Sequence, residues 1–532
     1  MRFDIIVVGG GSAGCVMAAR LSEDERLNVL LIEAGESDHH GFTKIPSMMN
    51  AAINSPEFDW RFRAEPDPSI GDRADYWPAG KCLGGGSAIN GMTFMRGHRA
   101  DYDRWAKEGA AGWDYESVLP YFKRLEDNER GVDDYRGGDG PQRVAEGRAH
   151  SHLVDDWIEA AIETGIPRSP DLNGARPEGV DFVQVTQKNG VRHSTAAAFL
   201  EPALKRKNLE IITNAQVTRI RFDGARAIGI DYVQHNLPQA ISAARGIVVC
   251  AGALNTPKLL MQSGLGPGAH LASMDIEVLA DLPGVGKNLQ ERPGALLVQD
   301  VNVPTLNTES RGFGAIKQAL DFGLNRQGAM TLSMGQAHAF LRTRRNLPSP
   351  NVHLAFAAFA TELDDEGSMK MRRLPSISTF VSICHPNARG EILLRGNDPL
   401  APPVIRHELL GDEDDAEQLA EALIAARMIA AKPALSKYIT GEVTPSSPIS
   451  NKQGLIKYLH KAAAPSFHAA GTCKIGVDAM AVVDPKLKVH GADGLWVADA
   501  SAMPSLVSGG TAAAAIMIGE RGSDLIGAAL RS

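Results

Sequence analysis

Three glycines, Gly9, Gly11 and Gly14, stand in G-x-G-x-x-G spacing, and an acid, Glu33, follows 24 positions after the first. That set suits one task, holding a dinucleotide. Gly9 permits a tight turn, Gly11 lets a pyrophosphate come up against the backbone, and Gly14 lets a helix lie close on a strand. A carboxylate at position 33 accepts hydrogen bonds from both hydroxyls of a ribose. The triplet by itself leaves NAD and FAD both open. A second stretch, 80–91, carries five glycines in twelve residues. Each glycine costs about 1 kcal/mol inside a helix, so this stretch suits backbone laid against a ligand.

Periodicity shows which elements must position these residues. Residues 3–8 form a β-branched apolar run broken only by Asp4, 12–21 an Ala-rich helix, and 29–32 a second strand that ends at Glu33. The helix start offers unpaired N–H groups and a positive dipole end to phosphates. Residues 35–78 lack periodicity and read as a long surface excursion, a candidate lid. Helices are expected at 101–108, 115–124 and 152–164, and a polar loop at 128–147. Strands are expected at 208–217, 228–233 and 246–251, followed by a helix at 255–262 with Pro257 near its start. Residues 296–303, 351–360 and 377–384 are longer strand-like runs with no crossover helix of the βαβ kind, which predicts an antiparallel sheet in a second domain. The acids of 412–415 complement the dipole of a helix over 416–431. A last strand at 495–497 leads to Asp499 and a small-residue tail over 509–518.

The 532 residues provide core for about three domains. Hydrophobic residues make up 44% and charged residues 22%, an ordinary globular composition. A net charge of −8 without a basic block argues against a nucleic-acid partner. The first apolar run is short, carries Asp4 and leads into the glycine turn, so it is expected to belong to the fold and not to a secretion signal. No uninterrupted apolar stretch reaches the ~20 residues of a membrane helix, while peripheral membrane contact stays open. Cys15, Cys82, Cys250, Cys384 and Cys473 are far apart, odd in number and lack a C-x-x-C, which points away from zinc or disulfides and toward a reducing cytoplasm. The pair His39–His40 and the H-x-H of His150 and His152 lack neighbouring ligands, so both are expected as loop histidines and no metal site is expected.

Four stretches in order resemble one family, the glucose–methanol–choline (GMC) flavoprotein oxidoreductases, over essentially the whole chain. They are the fingerprint at 9–14 with Glu33, the stretch 80–90 continuing to Arg96-Gly97, the run Gly252-Ala253-Leu254-Asn255-Thr256-Pro257 with Ser263-Gly264-Leu265-Gly266, and the pair His468…Gly471-Thr472 and Asp499-Ala500-Ser501…Met503-Pro504. The resemblance implies FAD. It also implies an α/β fold, with an FAD-binding Rossmann-like domain and a second α+β substrate-binding domain built on an antiparallel sheet. The expected division is 1–150, 190–293 and 466–532 for FAD, and 151–189 and 294–465 for substrate. Position by position, Gly9, Gly11, Ser12, Ala13 and Gly14 would wrap the pyrophosphate and Glu33 would hold the adenosine ribose. Gly84, Gly85, Gly86, Asn90 and Gly91 would lie along the flavin and its ribityl chain, and Val217 would give backbone hydrogen bonds to adenine. Asp499 and Ala500 would contact the ribityl–phosphate region, with Gly510 and Thr511 near the isoalloxazine. Some members tether FAD through a histidine beside the signature asparagine. Ile89 stands there in this chain, which implies noncovalent FAD.

Oxidising an alcohol removes a hydroxyl proton and a carbinol hydride; the flavin takes the hydride and the protein handles the proton. A histidine suits that step because its ordinary pKa, ~6.5, lies near working pH. Of fifteen histidines, His468 falls on the family's catalytic position. The second catalytic position, usually Asn or His, falls 42 residues later on Gly510, and a nearby Asn is replaced by Ala512. The missing side chain makes room for a wider substrate. The expected reaction is therefore oxidation of a primary alcohol, bulky or aromatic, to an aldehyde, with oxygen or a quinone as electron acceptor. The alternative is an oxidase of a hydroxymethyl ring compound such as pyridoxine or a furan alcohol. Choline, which wants an aromatic cage or an anion, and a non-redox cyanohydrin lyase rank behind. Phe356, Phe359, Phe380 and Phe467 are candidate pocket walls, set against ordinary core.

Overall fold

The computed structural model describes residues 2–363, 369–446 and 448–531. In chain order its principal elements are β1 (Arg2–Val8), α1 (Ser12–Leu21), β2 (Val29–Ile32), α2 (His152–Glu163), β3 (Gly179–Phe182), β4 (Leu209–Ile212), β5 (Ala215–Asp223), β6 (Arg226–Gln234), β7 (Leu237–Val249) and α3 (Gly252–Gln262). There follow β8 (Pro293–Val301), α4 (Phe313–Asn325), β9 (Ala337–Leu341), β10 (Val352–Ala357), β11 (Ser376–Ile383), α5 (Glu413–Ala430), β12 (Ile439–Thr444), β13 (Leu495–Val497) and α6 (Ala512–Arg531).

Two seven-stranded sheets carry the fold. The first runs β4-β2-β1-β7-β6-β5, with β13 on the far end of β7. Its β1, β2, β4, β7 and β13 are mutually parallel, and β5 and β6 add an antiparallel meander. Parallel strands are covered on both faces, which is why β1 and β2 read as nearly unbroken Val, Ile and Leu. The register aligns the strand ends. Val8 stands opposite Ile32 and Val249, Ile32 opposite Ile212, and Val249 opposite Val497. Gly9, Glu33, Cys250 and Ala498 therefore leave the sheet along one edge, the carboxyl edge where open α/β sheets take their ligands. Helix α6 lies along α1, so close that a Cβ on Gly519 would come within 2.7 Å of the Ala13 carbonyl oxygen.

The second sheet runs β12-β8-β11-β10-β9-β3 and is antiparallel throughout, with the two-residue strand Ala464–Pro465 added to β8. Alternation along each strand gives it two unlike faces. Val180, Leu297, Ala339, Leu354, Phe356 and Val381 point into an apolar core shared with α2 and α5. The opposite face carries His338, Phe340, His353, Phe380 and Ser382, as their cross-strand pairing requires.

Several elements differ from expectation for local reasons. The strand expected over 208–217 is two strands, because Asn214 takes a left-handed φ of 54° and turns the chain between β4 and β5. The strand expected over 246–251 is the end of a 13-residue β7, whose first four residues, Leu237 to Ala240, are exposed and include a proline and so lack a strand-like apolar run. Residues Gln142–Glu146, expected as loop, pair with two neighbours as a strand. The glycine-rich stretch makes one helical turn, Gly86–Ile89. The small-residue tail is the first half of a 20-residue α6, since alanine is the strongest helix former.

Candidate active site

At the edge of the first sheet, Glu33 is 6% exposed and accepts the N–H groups of Gly10 (2.7 Å) and Gly35 (2.9 Å). Burial pushes its carboxyl up to about 7, while those backbone donors pull the other way. A Cβ on Gly14 would run into the Gly9 carbonyl, so the close helix–strand approach is real. The second glycine stretch folds back onto the first. Gly84 N–H donates to Gly10 O (2.7 Å), and Gly85, at a φ of 50°, sits where a Cβ would come 2.6 Å from Gly11 Cα. Ala215 N–H donates to Glu33 O (2.9 Å), which starts β5 beside Glu33 and places Val217 two residues further along it.

Asp499, just past β13, is 4% exposed and accepts Gly252 N–H (2.8 Å), Thr256 Oγ1–H (2.6 Å) and Ser501 N–H (2.7 Å); Ala500 opens the turn between them. The helix α1 and the turn Gly86–Ile89 begin without a capping side chain, whereas the first N–H of α3 is held by Asp499. By contrast, α2 and α5 are capped by Ser151 and Asp412. Uncapped starts, glycine backbone free of Cβ atoms and two buried carboxylates together fit the pyrophosphate and riboses of a dinucleotide.

His468 follows the strand Ala464–Pro465, after Phe467 in a left-handed conformation (φ 65°). Its N–H donates to Glu291 Oε2 (2.7 Å). Gly510 faces the imidazole, and a Cβ there would lie 3.3 Å from His468 Nε2. His468 Nδ1 is shielded from solvent and has no protein partner. Burial, then the nearby Arg292 cation, hold the imidazole down to about 3, so the ring is neutral with a bare nitrogen at neutral pH.

The loop that brings Gly510 and Thr511 to this ring contains two consecutive glycines, yet its backbone is bonded almost residue by residue. Asn288 and Gln290 donate to Pro504 O, Trp105 Nε1 to Ser505 O, and Arg104 to Leu506 O. Arg292 donates to Val507 O and Gly509 O, and Ser508 N–H donates to Asp101. Sequence reading gave no role to the side chains of Asn288, Gln290 and Arg292. The signal available was the polar run 288–292 directly before an apolar strand.

From the second sheet, His353 Nε2 and His338 Nδ1 share a hydrogen bond (3.0 Å), and Phe340 stacks on His353 with ring centroids 4.5 Å apart. Phe340 also reaches the 509 position, its Cζ 3.4 Å from where a Gly509 Cβ would be. Burial lowers both imidazoles, His338 to about 3 and His353 well below the usual histidine range. Of the four candidate pocket walls, Phe356 is a correction. It points to the opposite face and stacks on Trp157 at 5.1 Å in the apolar core. Phe380 lies on the site-facing side of β11 against Gly294, Phe359 follows β10 and is half-buried, and Phe467 is 46% exposed beside His468. Away from this site, Asp38, His39 and Glu201 cluster, but Lys44 Nζ lies 3.3 Å from Asp38 and 3.5 Å from Glu201 and supplies the positive charge itself.

A parallel sheet ending in glycine turns and buried acids, met at that edge by a histidine and a second sheet, is the architecture of a dinucleotide-binding α/β protein with a second domain over the cofactor edge. Residues 3–294 and 386–519 match the amino- and carboxy-terminal parts of GMC oxidoreductase. The chain is 35% identical over 529 residues to the oxygen-dependent choline dehydrogenase of Brucella canis, covering 99% of this chain and 96% of that one. It is 38% identical over 532 residues to the protein of the same name in Burkholderia multivorans, covering 99% and 93%. Its structure is similar to that of pyridoxine 4-oxidase from Mesorbium loti, with a TM-score of 0.88 at 30% identity over 98% of each chain. The chain belongs to the GMC oxidoreductase family, and its cofactor is FAD. No helix among the described residues is long and apolar enough to cross a membrane.

Proposed function

We propose that this protein oxidises a primary alcohol carried on a bulky or aromatic ring to the aldehyde, with His468 receiving the hydroxyl proton. Bound FAD supplies the hydride acceptor. The observation that carries the reading is the His468 imidazole, whose Nε2 faces Gly510 with no side chain on that residue to stand against it. The proton leaves the hydroxyl oxygen for a ring nitrogen of His468, and the loop 504–509 keeps Gly510 at its distance. A hydroxymethyl ring such as pyridoxine or a furan alcohol belongs to the same substrate class, and the likeness to pyridoxine 4-oxidase supports it.

Choline is the competing reading, since curated relatives carry that name. A quaternary ammonium wants an anion or an aromatic cage. Here the charge that acts on the His468 imidazole is the Arg292 cation, and both oxygens of Glu291 are already bonded to backbone. We also propose that residues 1–150, 190–293 and 466–532 hold FAD and that 151–189 and 294–465 shape the substrate pocket. FAD is held without a covalent bond, because Ile89 offers no nucleophile; denaturation should release free flavin. All five cysteines are buried thiols, which suits the reducing cytoplasm.

The test is to mix the yellow protein, without air, with 4-methoxybenzyl alcohol, pyridoxine, a furan alcohol and choline, and to follow the visible spectrum. Bleaching by a ring alcohol and not by choline is expected, and readmitted air separates an oxygen-using enzyme from one needing a quinone. His468→Ala should lower kcat by about 10²–10⁴. Near-full turnover in that variant, or a spectrum that responds only to choline, would overturn the reading.

A further inference from the structure

Two adjacent residues reach both loops of the acid–base site. Glu291 is fully buried. Its Oε2 accepts the His468 N–H at 2.7 Å, and its Oε1 accepts the Arg292 N–H at 2.8 Å. Arg292 is 1% exposed. Its Nε donates to Cys384 O (3.1 Å), and its two terminal nitrogens donate to Val507 O and Gly509 O. One residue therefore grips the loop that bears His468, and its neighbour grips the loop that bears Gly510. Gly510 has no side chain to bond the imidazole and set the gap, so the two loops are held relative to each other from behind.

We propose that Glu291 and Arg292 are the positioning residues of this site, fixing His468 and the 507–510 loop relative to each other and keeping the imidazole beside a permanent cation. The inference rests on His468 being the proton acceptor. A guanidinium is always charged and forks to two carbonyls at once, which lysine cannot reproduce. The groups around the pair are few. Glu291, Cys384, Asp101 and Arg104 face Arg292, and Asp101 is paired with His385. Arg292 and His353 lie in the field of His468. The cation makes a second positive charge on His468 costly, so removing it lets the imidazole hold a proton at higher pH.

The experiment uses the full FAD-loaded enzyme with 4-methoxybenzyl alcohol or pyridoxine, whichever the anaerobic panel shows to react faster. Variants Arg292→Met, Arg292→Lys and Glu291→Gln are checked for flavin content and melting temperature. In Arg292→Met, kcat should fall about 10–100-fold with KM changed little, as for a misplaced catalytic group. The acid limb of its kcat/KM profile should move up by about one pH unit or more. Arg292→Lys keeps the charge and loses the fork, so its limb should stay in place while kcat falls. Glu291→Gln can still accept one of the two backbone N–H groups and should lose less.

A yellow, folded Arg292→Met enzyme with parental kcat and an unmoved limb would overturn the proposal. If that variant does not fold, Glu291→Gln and Arg292→Lys both keeping parental kcat would overturn it instead. Loss of activity in His468→Ala alongside normal Arg292→Met sinks the positioning role alone. Retained activity in His468→Ala, or failure of both alcohols to react, sinks the underlying reading and this one with it.

Discussion

The first sheet does its work at its end, and the second on its face. In the first, the strands stop in register and the functional groups are the residues that come next: Gly9, Glu33, Gly252 and Asp499. In the second, the strands run on past the site, and the groups turned toward it are alternate residues of three neighbouring strands: His338 and Phe340 from β9, His353 from β10, Phe380 and Ser382 from β11. The two also bury ionisable groups of opposite kind. Glu33 is a buried acid held up to about 7, whereas His338 is a buried base held down to about 3. An end can be rebuilt only with the turn that makes it, while a face can be altered one strand at a time. On the proposed reading, the cofactor is held at the end and the substrate is met by the face.

The sharpest way to break this contrast is to put a side chain into the end. Gly85→Val places carbon where Gly11 already is, at a left-handed φ of 50° that valine strongly resists. Flavin content should fall below a tenth of the parent, and activity with it; a yellow, fully loaded variant would show that the cradle tolerates filling.

A smaller effect separates the sheets by pH. Glu33 carries its proton in the folded state to higher pH than in the unfolded chain, so its contribution is complete below about 4.5 and is lost as pH rises through about 7. His338 and His353 stay neutral in the folded protein while the unfolded chain takes up protons below about 6.5, so their contribution is present above that pH and is lost as pH falls, for His338 toward about 3. Replacing both hydrogen-bond partners at once, His338→Leu with His353→Leu, leaves no orphaned polar atom from their shared bond. The fall in melting temperature from pH 7.5 to 5 should shrink by about 2 °C or more relative to the parent. An unchanged fall would mean that acid sensitivity lies elsewhere.

The least effect is expected on α4, where Phe313, Ile316, Leu320 and Leu324 are 92%, 58%, 57% and 80% exposed. Ile316→Glu with Leu324→Glu should change stability by no more than about 0.5 kcal/mol, because surface substitutions remove little packing. A large loss in urea titrations would show that this stripe is covered in solution.

The same contrast explains what the amino-acid order disclosed. Functional groups at strand ends are contiguous with an apolar run and a turn, so Gly9–Gly14, Glu33 and Asp499 were legible. Groups on a face are spread over distant strands at every second residue, so His338 and His353 carried no local mark. Phe356 and His353 illustrate the limit. They lie on one short strand, and only its register shows which of them points to the core. Glu291 and Arg292 were missed for a related reason. The loops they grip, at His468 and at Val507–Gly509, lie 177 and 215 or more residues away, and no local pattern encodes such a span. His468 and Gly510 were picked out only through family resemblance.

Asp499 lies 247 residues beyond Gly252, whose N–H it holds, and β13 slots beside β7 from the same distant part of the chain. At about 5–20 residues per second, roughly 12–50 s of translation separate the two halves of the cradle. A ribosome-bound chain that has finished α3 therefore has nowhere to keep its yellow prosthetic group. Cofactor capture must wait for a nearly completed polypeptide, and a cell starved of riboflavin would accumulate full-length, colourless protein and not truncated fragments.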